Sequence, residues 1–158
     1  MTADDVNDIS AFLIEAKRNT YAAHGDAASI APALAGSKQL EHHAGRFSYR
    51  DIYFGMGHFV GQESVYMDGR IAWSMVYSGG VGADQPADAM AAIYAFLRRA
   101  LQRVEARRPF RGPSRFASGN FEYEDESGGD LVKFAGEERI FQVGRPVYQL
   151  TYAGGLIR

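Results

Sequence analysis

The chain has 158 residues, of which 46% are hydrophobic and 13% aromatic, and its formal net charge is -2. A chain of this length and composition can bury the core of one globular domain, and its charge excludes a general attraction to nucleic acid or anionic membranes. It contains no cysteine, which excludes disulfides, zinc-thiolate sites and thiol nucleophiles. The sequence has no long apolar segment and no signal-peptide pattern, so we expect a soluble, cytoplasmic protein.

A helix is predicted near the N-terminus. Thr2 stands three residues before Asp5, which is a capping pattern for the start of a helix. Four apolar residues then recur at the spacing of one helix face: Val6, Ile9, Leu13 and Ala16. This element is therefore predicted to be amphipathic, with its apolar side against the core.

Strands are predicted after this helix. Phe47 and Tyr49 mark a short aromatic strand, and residues 59–81 read "FVGQESVYMDGRIAWSMVYSGGV", which is typical of a β-hairpin. Its turn falls at Asp68 and Gly69, because this pair tolerates the positive φ that a two-residue hairpin turn requires at both positions.

The two-residue turn predicts which side chains of the hairpin share a face, because alternate residues of a strand point to opposite sides of the sheet. One face carries an apolar set and is predicted to be buried: Tyr66, Ile71, Trp73, Met75 and Tyr77. The other face is half polar and is predicted to contact water or a cavity: Glu63, Val65, Ala72 and Ser74.

The second half of the chain is predicted to repeat this order of elements. A second helix has its apolar side formed by Met90, Ile93, Leu97, Leu101 and Val104. Phe121 and Tyr123 mark another aromatic strand, and residues 134–156 form another hairpin with its turn at Val143-Gly144. Valine suits such a turn less well than aspartate does.

A basic stretch follows the second helix pattern. Seven arginines lie from Arg98 to Arg115, with Glu105 as the only acid among them. Three of them have the spacing of one helix side: Arg99, Arg103 and Arg107. The stretch is typical of a solvated helix face, and no nucleic-acid-binding module accompanies it, so we expect no direct nucleic-acid binding.

The two hairpin segments are similar in sequence. Residues 59–81 and 134–156 are identical at eight of 23 positions when aligned at an offset of 75, whereas chance would give roughly one or two identities. The sequence therefore predicts an α+β fold of two tandem αβββ repeats, at about residues 1–82 and 83–158, within a single domain. The repeats are expected to be related by pseudo-two-fold symmetry, with an antiparallel sheet and the helices on its apolar face.

Two pairs of carboxylates occupy matching places in the two halves. The pairs are Asp51 with Glu63 and Asp125 with Glu138. Carboxylates are costly to bury without partners, so each pair is predicted to bind backbone donors or an arginine such as Arg70 or Arg145. The alternatives are that related carboxylates meet across the pseudo-two-fold axis, where they would bind a metal or share a proton, or that they face solvent.

Polar residues present in only one half, such as Tyr21, Arg50, Tyr53 and His58, are candidates for function, because the shared fold does not explain them. Two hypotheses combine them with Asp51, Glu63 and Trp73 of the same half. An enzyme hypothesis uses Asp51, His58 and Glu63 as catalytic acid-base candidates. A small-molecule-binding hypothesis uses five residues as the ligand site: Tyr21, Arg50, Tyr53, Glu63 and Trp73. The sequence has no metal-ligand spacing and no cofactor motif, so we expect neither a metal nor a cofactor.

Several short motifs resemble a known family in order and spacing. They are "AFLIEAKRNTYAA", "FSYRDIYFG", "GQESVYMDGRIAWSMVYSGGV", "PFRGPSRF" and "YAGGLIR". The chain is similar to a bacterial and archaeal family catalogued as a domain of unknown function, which has no established activity. Some of its members carry this domain behind an Xre-type helix-turn-helix, and this resemblance implies a module that senses a ligand or a partner.

These observations favour a domain that binds or senses a small molecule and is linked to regulation. The expected site is a cleft between or beside the two halves of the sheet, lined by Tyr53, Glu63, Trp73 and their neighbours in the first repeat. Two alternatives remain open: a small enzyme that uses acid-base residues of the first repeat, and an interaction module that forms a homodimer. We expect no contact with membranes.

Overall fold

The computed structural model describes residues 1–158, apart from the side chain of Ala28. Three α-helices occur in this part of the chain: α1 (Ala3–Asn19), α2 (Tyr21–His24) and α3 (Ala87–Leu101). A 3-10 segment, Gly25–Ala28, follows α2. None of the helices described is long and apolar enough to cross a membrane.

The described residues also form one sheet of eight strands. These strands are β1 (Lys38–Ala44), β2 (Phe47–Gly55), β3 (His58–Met67), β4 (Arg70–Val81), β5 (Arg115–Ser118), β6 (Phe121–Asp130), β7 (Lys133–Gln142) and β8 (Arg145–Leu156). Their spatial order is β1-β2-β3-β4-β8-β7-β6-β5, and each pair of neighbours is antiparallel. The prediction of an α+β fold with an antiparallel sheet is confirmed.

The predicted number of strands is wrong, because four strands rather than three follow the helices in each half of the described chain. The sequence pattern missed β1 and β5. Strand β1 reads "KQLEHHA", which is too polar to be recognised as a strand, and β5 has only four residues. Both are edge strands, where charged or short segments are common in native sheets.

Helix α1 begins as predicted. Thr2 is its N-cap, and its hydroxyl accepts a hydrogen bond from the Asp5 backbone N–H at 3.2 Å. The Asp5 carboxylate in turn accepts one from the Thr2 backbone N–H at 2.8 Å, which completes a capping box. The buried side of the helix consists of Ile9, Phe12, Leu13, Ala16 and Lys17.

Helix α3 is shorter than its sequence pattern suggests. It buries Ile93 and Leu97 but ends at Leu101, so Arg103 and Arg107 lie beyond it and form no helical row with Arg99. The residues after the helix instead form turns, and the segment 109–113 is buried. The basic stretch is therefore divided between a helix and a loop that enters the core.

The β3-β4 hairpin contains a bulge that the sequence pattern did not reveal. Its turn is the predicted one, with φ of 51° at Asp68 and 76° at Gly69. The register then shifts, because Tyr66 pairs with Ile71 whereas Val65 pairs with Trp73. Ala72 is the extra residue, and an extra residue reverses the facing of every side chain beyond it.

The bulge corrects the predicted faces of this hairpin. Glu63 pairs with Met75 rather than with Ser74, and it lies on the buried face of the sheet. Val65 is also on that face, whereas Tyr66 and Ile71 lie on the other face. The predicted faces of Glu63, Val65, Tyr66 and Ile71 were therefore wrong, whereas the buried face predicted for Trp73, Met75 and Tyr77 is confirmed. Ala72, predicted to contact water or a cavity, is buried at the bulge.

The core contains a stack of aromatic rings at the centre of the sheet. Phe110, from the buried loop after α3, stacks on Phe134 with a centroid distance of 3.8 Å. Phe134 stacks in turn on Trp73 at 5.7 Å. Trp73 has no exposed surface, so it is a core residue that joins β4 to the second half of the chain.

We expect Val143→Asn to stabilise the protein by about 1 kcal/mol, because it relieves strain at the turn between β7 and β8. Val143 has φ of 49°, which is unfavourable for a β-branched residue, and its side chain is 78% exposed, so no packing is lost. Urea denaturation measures the change. Val132→Asn is the control, because this partly exposed valine lacks positive φ; an equal gain in both variants would contradict the strain at Val143.

Candidate functional site

A cavity of about 360 Å³ lies between the helices and the first four strands. Its walls come from α1, α2, α3, the 3-10 segment and strands β1, β2, β3 and β4, with one residue, Arg111, from the loop after α3. The volume is at the lower end of the range for small-molecule sites. The cavity has a charged floor, an apolar wall and a polar mouth.

The floor is organised around Glu63, which is buried on β3. Lys17 reaches it from α1, and its ammonium group donates a hydrogen bond to the carboxylate. An Nη atom of Arg111 lies 3.7 Å from the other carboxylate oxygen. Two cations thus compensate the buried charge of Glu63, as a buried carboxylate requires.

Asp51 is the neighbour of Glu63 across the β2-β3 pair. The Tyr77 hydroxyl donates a hydrogen bond to Asp51 at 2.6 Å. Tyr77 reaches Asp51 by crossing β3 at Gly61, where a Cβ atom would overlap the Tyr77 hydroxyl. Gly61 is therefore required by this close approach, and the result is two adjacent buried carboxylates in one cavity wall.

Burial is the main cause of the pKa shifts of the groups at the floor of the cavity. Burial, with the nearby charge of Glu63, raises the pKa of Asp51 to about 7. Burial also lowers the pKa of Lys17, although the Glu63 carboxylate opposes that shift. Burial together with Glu63 raises the pKa of Tyr49, which also lines the cavity, well above its usual value.

We expect the free energy of unfolding of the protein to fall, relative to that of the Asp51→Asn variant, as the pH rises from 5 to 8. The folded-state pKa of Asp51, about 7, exceeds the value of about 3.9 expected for an unfolded chain. The folded state therefore binds the extra proton between these values, and it loses that stabilisation as the proton leaves. Urea denaturation of both proteins at several pH values measures the difference.

The comparison with Asp51→Asn removes the contribution of other groups. Asp125 also has a pKa raised to about 7, first by burial and then by Glu138, and it titrates in both proteins. The groups that face Asp51 are Glu63, Lys17, Arg111 and Tyr77. Parallel pH profiles for the two proteins would show that Asp51 is ionised over the whole range, contrary to this expectation.

The second carboxylate pair has more protein partners. Asp125 and Glu138 are neighbours across the β6-β7 pair, and Glu138 has no exposed surface. Arg111 donates a hydrogen bond to Glu138 at 2.6 Å, and Tyr123 and Tyr148 each donate one at 2.7 Å. Glu138 does not line the cavity. It is an enclosed structural group.

Asp125 is held in a similar way. It accepts hydrogen bonds from Tyr152 at 2.7 Å and from Arg108 at 2.7 Å. The prediction that arginines bind the carboxylates is confirmed for Glu63, Asp125 and Glu138, but the arginines are Arg111 and Arg108 rather than Arg70 or Arg145. Asp51 differs, because its hydrogen-bond partner is the Tyr77 hydroxyl. The basic stretch supplies them, because the loop after α3 returns to the core.

The wall of the cavity beside this floor is mainly apolar. It includes Met56, Phe59, Met90, Tyr94 and Leu97. The Tyr94 hydroxyl donates to the carbonyl of Met56 and lies 3.2 Å from that of Gly57, so its ring is fixed between α3 and the β2-β3 turn. The wall therefore offers a surface suited to an apolar group.

The mouth of the cavity is polar. Asp26 accepts hydrogen bonds from Lys38 and from the Tyr53 hydroxyl. Tyr21 packs edge to face on Tyr53 with a centroid distance of 6.5 Å. Arg98 approaches the same opening from α3. The mouth thus combines two aromatic rings with one acid and two cations.

Four of the residues proposed from sequence line this one cavity: Tyr21, Asp51, Tyr53 and Glu63. The other three do not. Trp73 lies in the central aromatic stack, and Arg50 pairs with Glu41 at 2.8 Å. Arg50 instead lines an open groove on the outer face of the sheet.

His58 also lies apart from the other catalytic candidates. It is exposed, and its ring nitrogen is 3.4 Å from the Ser78 hydroxyl. Ser78 lines the outer groove, whereas Asp51 and Glu63 line the inner cavity. The structure therefore does not bring His58 together with these two carboxylates.

Five charged residues of the cavity were not predicted as site residues from the sequence: Lys17, Asp26, Lys38, Arg98 and Arg111. Lys17 continues the spacing of Ile9 and Leu13 on the apolar side of α1, and this position was a usable signal. Arg111 had no comparable signal, because the path of an irregular loop cannot be derived from periodicity. In the described residues, no cluster of three or more His, Asp or Glu side chains could hold a metal ion.

The fold and the cavity define an α+β protein in which helices and an antiparallel sheet enclose a small-molecule-sized space. The chain belongs to the family described as Domain of unknown function (DUF5680), whose model matches residues 51–157. A search of curated proteins and a search of solved structures each found no match to the chain.

Proposed function

We propose that this protein binds a small amphipathic molecule in the cavity beneath α1 and α3. The observation that carries this proposal is the difference between the two carboxylate pairs. Asp51 and Glu63 border open space, whereas Glu138 is enclosed by three protein donors. A space beside buried polar groups is costly for folding alone, and a ligand that fills it offsets this cost.

The chemistry of the cavity supports an amphipathic ligand. The charged floor and the apolar wall lie on different sides of one space, so a ligand with a polar group and an apolar body matches both. Arg111 lines the cavity, and its Nε has no hydrogen-bond acceptor among the residues described. A ligand oxygen or a water molecule would satisfy this buried donor.

We also propose that binding has a sensing role linked to regulation. The support is the family resemblance alone, because some relatives place such a domain behind a helix-turn-helix. The residues of the site are consistent with sensing, since a ligand would contact α1, α3 and the sheet at once. A ligand that contacts several elements can shift the equilibrium between their arrangements.

We further infer that the two halves are tandem copies of one unit related by pseudo-two-fold symmetry. The support is the position of the carboxylate pairs, which face each other across β2-β3 and across β6-β7. Tyr77 and Tyr152 pair with each other across β4-β8, and each donates to the aspartate of its own half. In this interpretation, one copy keeps its structural role and the other provides the cavity.

Phenylnaphthylamine, a neutral fluorescent probe, should bind in the cavity with a rise in fluorescence and a higher Tm, because binding to the native state alone stabilises it. Ala91→Trp should weaken this binding at least tenfold. Ala91 lines the cavity from an exposed position on α3, so a large side chain there would fill the space without disturbing the core.

Ala92→Trp is the matched control, because Ala92 is also exposed on α3 but does not line the cavity. It should bind the probe as the parent does. Equal binding by all three proteins would place the probe outside the cavity, and no binding by the parent would count against a site for apolar ligands.

A second candidate function is acid-base catalysis on the bound molecule. The observation that favours it is the pKa of about 7 for Asp51, which lies in the cavity beside Glu63. A carboxyl group with this pKa can give or take a proton near neutral pH. Deuterium exchange into small carbonyl compounds, followed by NMR, tests it: Asp51→Asn should abolish any exchange that the parent catalyses.

A further inference from the structure

We propose that the ligand of this cavity carries an anionic group, such as a carboxylate, sulfonate or phosphate monoester, which Arg98 binds at the mouth. The proposal rests on the proposed function, because it specifies the class of molecule that the cavity accepts. It concerns the polar end of the ligand that faces the mouth. The apolar body of the ligand would then lie against the inner wall.

Arg98 is held at the mouth by its surroundings. It projects from α3, lines the cavity and packs against Gly25 of the 3-10 segment. Gly25 has φ of 55°, and a Cβ atom there would lie 3.3 Å from both Cδ and a terminal nitrogen of Arg98. Because Gly25 has no side chain, it leaves room for the guanidinium group, and any other residue at this position would crowd it.

Arg98 differs from the other cations of the cavity in having no carboxylate partner. Among the described residues, no acid lies within 4.0 Å of its guanidinium nitrogens, whereas Lys17 pairs with Glu63 and Lys38 with Asp26. Arg111 has Glu138 and Glu63 as partners. The Tyr21 hydroxyl lies within hydrogen-bonding reach of Arg98, but no carboxylate neutralises the guanidinium, so its remaining N–H donors are available to an anion.

The charges around the mouth leave an excess of one positive charge. Burial alone would raise the pKa of Asp26, but hydrogen bonds from Lys38 and Tyr53 lower it, and Arg98 adds to this effect. Asp26 is therefore ionised at neutral pH, and Lys38 neutralises it directly. The charge of Arg98 remains, so an anion bound there would bring the mouth to neutrality.

The guanidinium group suits an oxyanion in its chemistry. It presents a planar set of N–H donors that can form two parallel hydrogen bonds to a carboxylate, sulfonate or phosphate group. Tyr21 lies beside it and packs on Tyr53, and these two rings exclude water from part of the opening. Electrostatic interactions are stronger where water is partly excluded, so one guanidinium can contribute measurable selectivity.

The test compares two probes that differ by one anionic group. Anilinonaphthalene sulfonate is phenylnaphthylamine with an added sulfonate, and both change their fluorescence when bound. Arg98→Gln should weaken sulfonate binding about tenfold, the usual effect of one charge-assisted hydrogen bond. The affinity for the neutral probe should remain within about twofold. Arg98→Lys should restore part of the sulfonate affinity, because an ammonium group keeps the charge but cannot form the two parallel hydrogen bonds.

Arg99→Gln is the matched control, because it removes the same charge from the next residue of α3, and Arg99 does not line the cavity. It should leave the affinities for both probes unchanged. Equal weakening of sulfonate binding by Arg98→Gln and Arg99→Gln, or no recovery with Arg98→Lys, would overturn the proposal. In either case, binding of the neutral probe that Ala91→Trp blocks would leave the proposed function standing. If neither probe binds in the cavity, both proposals are wrong.

Discussion

Replacing Arg111 with methionine should lower the free energy of unfolding at pH 7 by about 3–5 kcal/mol, the usual effect of breaking a buried ion pair from one side. The guanidinium lies between Glu138 and Glu63, both of which are buried. Burial alone would lower the pKa of Arg111, but the charge of Glu138 raises it well above its usual value. Methionine would fill similar space and leave two buried carboxylates with one fewer cation.

Urea denaturation followed by tryptophan fluorescence measures this loss. Arg107→Met is the control, because Arg107 is exposed and no salt bridge involves it among the described residues; its effect should stay within about 0.5 kcal/mol. Adding Glu138→Gln to Arg111→Met should recover part of the stability, because it removes an uncompensated charge. A double variant less stable than Arg111→Met would contradict this account of the ion pair.

Trp73→Ala should also destabilise the protein by about 3–5 kcal/mol, the usual cost of truncating a buried large aromatic residue. Trp73 is fully buried and stacks on Phe134 at the centre of the sheet. Its removal would leave a cavity beside Phe134, on which Phe110 also stacks. Chemical denaturation followed by circular dichroism measures the change, since the variant has no tryptophan.

Two further variants define the origin of that loss. Ile71→Ala, on the same strand at a 39% exposed position, should cost less than about 1 kcal/mol. Trp73→Phe should cost less than Trp73→Ala, because the indole Nε1 has no hydrogen-bond acceptor among the described residues. A loss below about 1 kcal/mol for Trp73→Ala would be inconsistent with its place in the core.

The sequence was sufficient to predict the class of fold, but not which face of the sheet each side chain of the β3-β4 hairpin occupies. Hydrophobic spacing located α1, α3 and the long strands, and the Asp68-Gly69 turn was identified because few residues accept positive φ. The sequence does not reveal that Ala72 is an extra residue, so the alternation of side chains along the hairpin placed Glu63 on the wrong face of the sheet. Facing depends on backbone hydrogen bonding, which a single sequence does not display.

The candidate site was predictable only where its residues are close in sequence. Tyr53, Asp51 and Glu63 are close in sequence on two adjacent strands, so local reasoning brought them together. Arg111 reaches the same site through a loop, and its contact with Glu63 is distant in sequence. Such contacts follow from the packing of the whole domain. Trp73 was predicted both on the buried face of the hairpin and in the ligand site, and only the first of these predictions agrees with its burial.

The position of β8 beside β4 has a consequence for how the chain folds. Strands β1 to β4 pair with their neighbours in sequence, as do β5 to β8, whereas the β4-β8 pair joins Trp73 to Leu156 and Val81 to Tyr148. Contacts so distant in sequence form slowly, because a long loop must close before they contribute. Separating the two halves would turn β4 and β8 into unpaired edges with exposed apolar residues. The halves should therefore unfold together in one cooperative transition, and neither should persist alone as a stable intermediate.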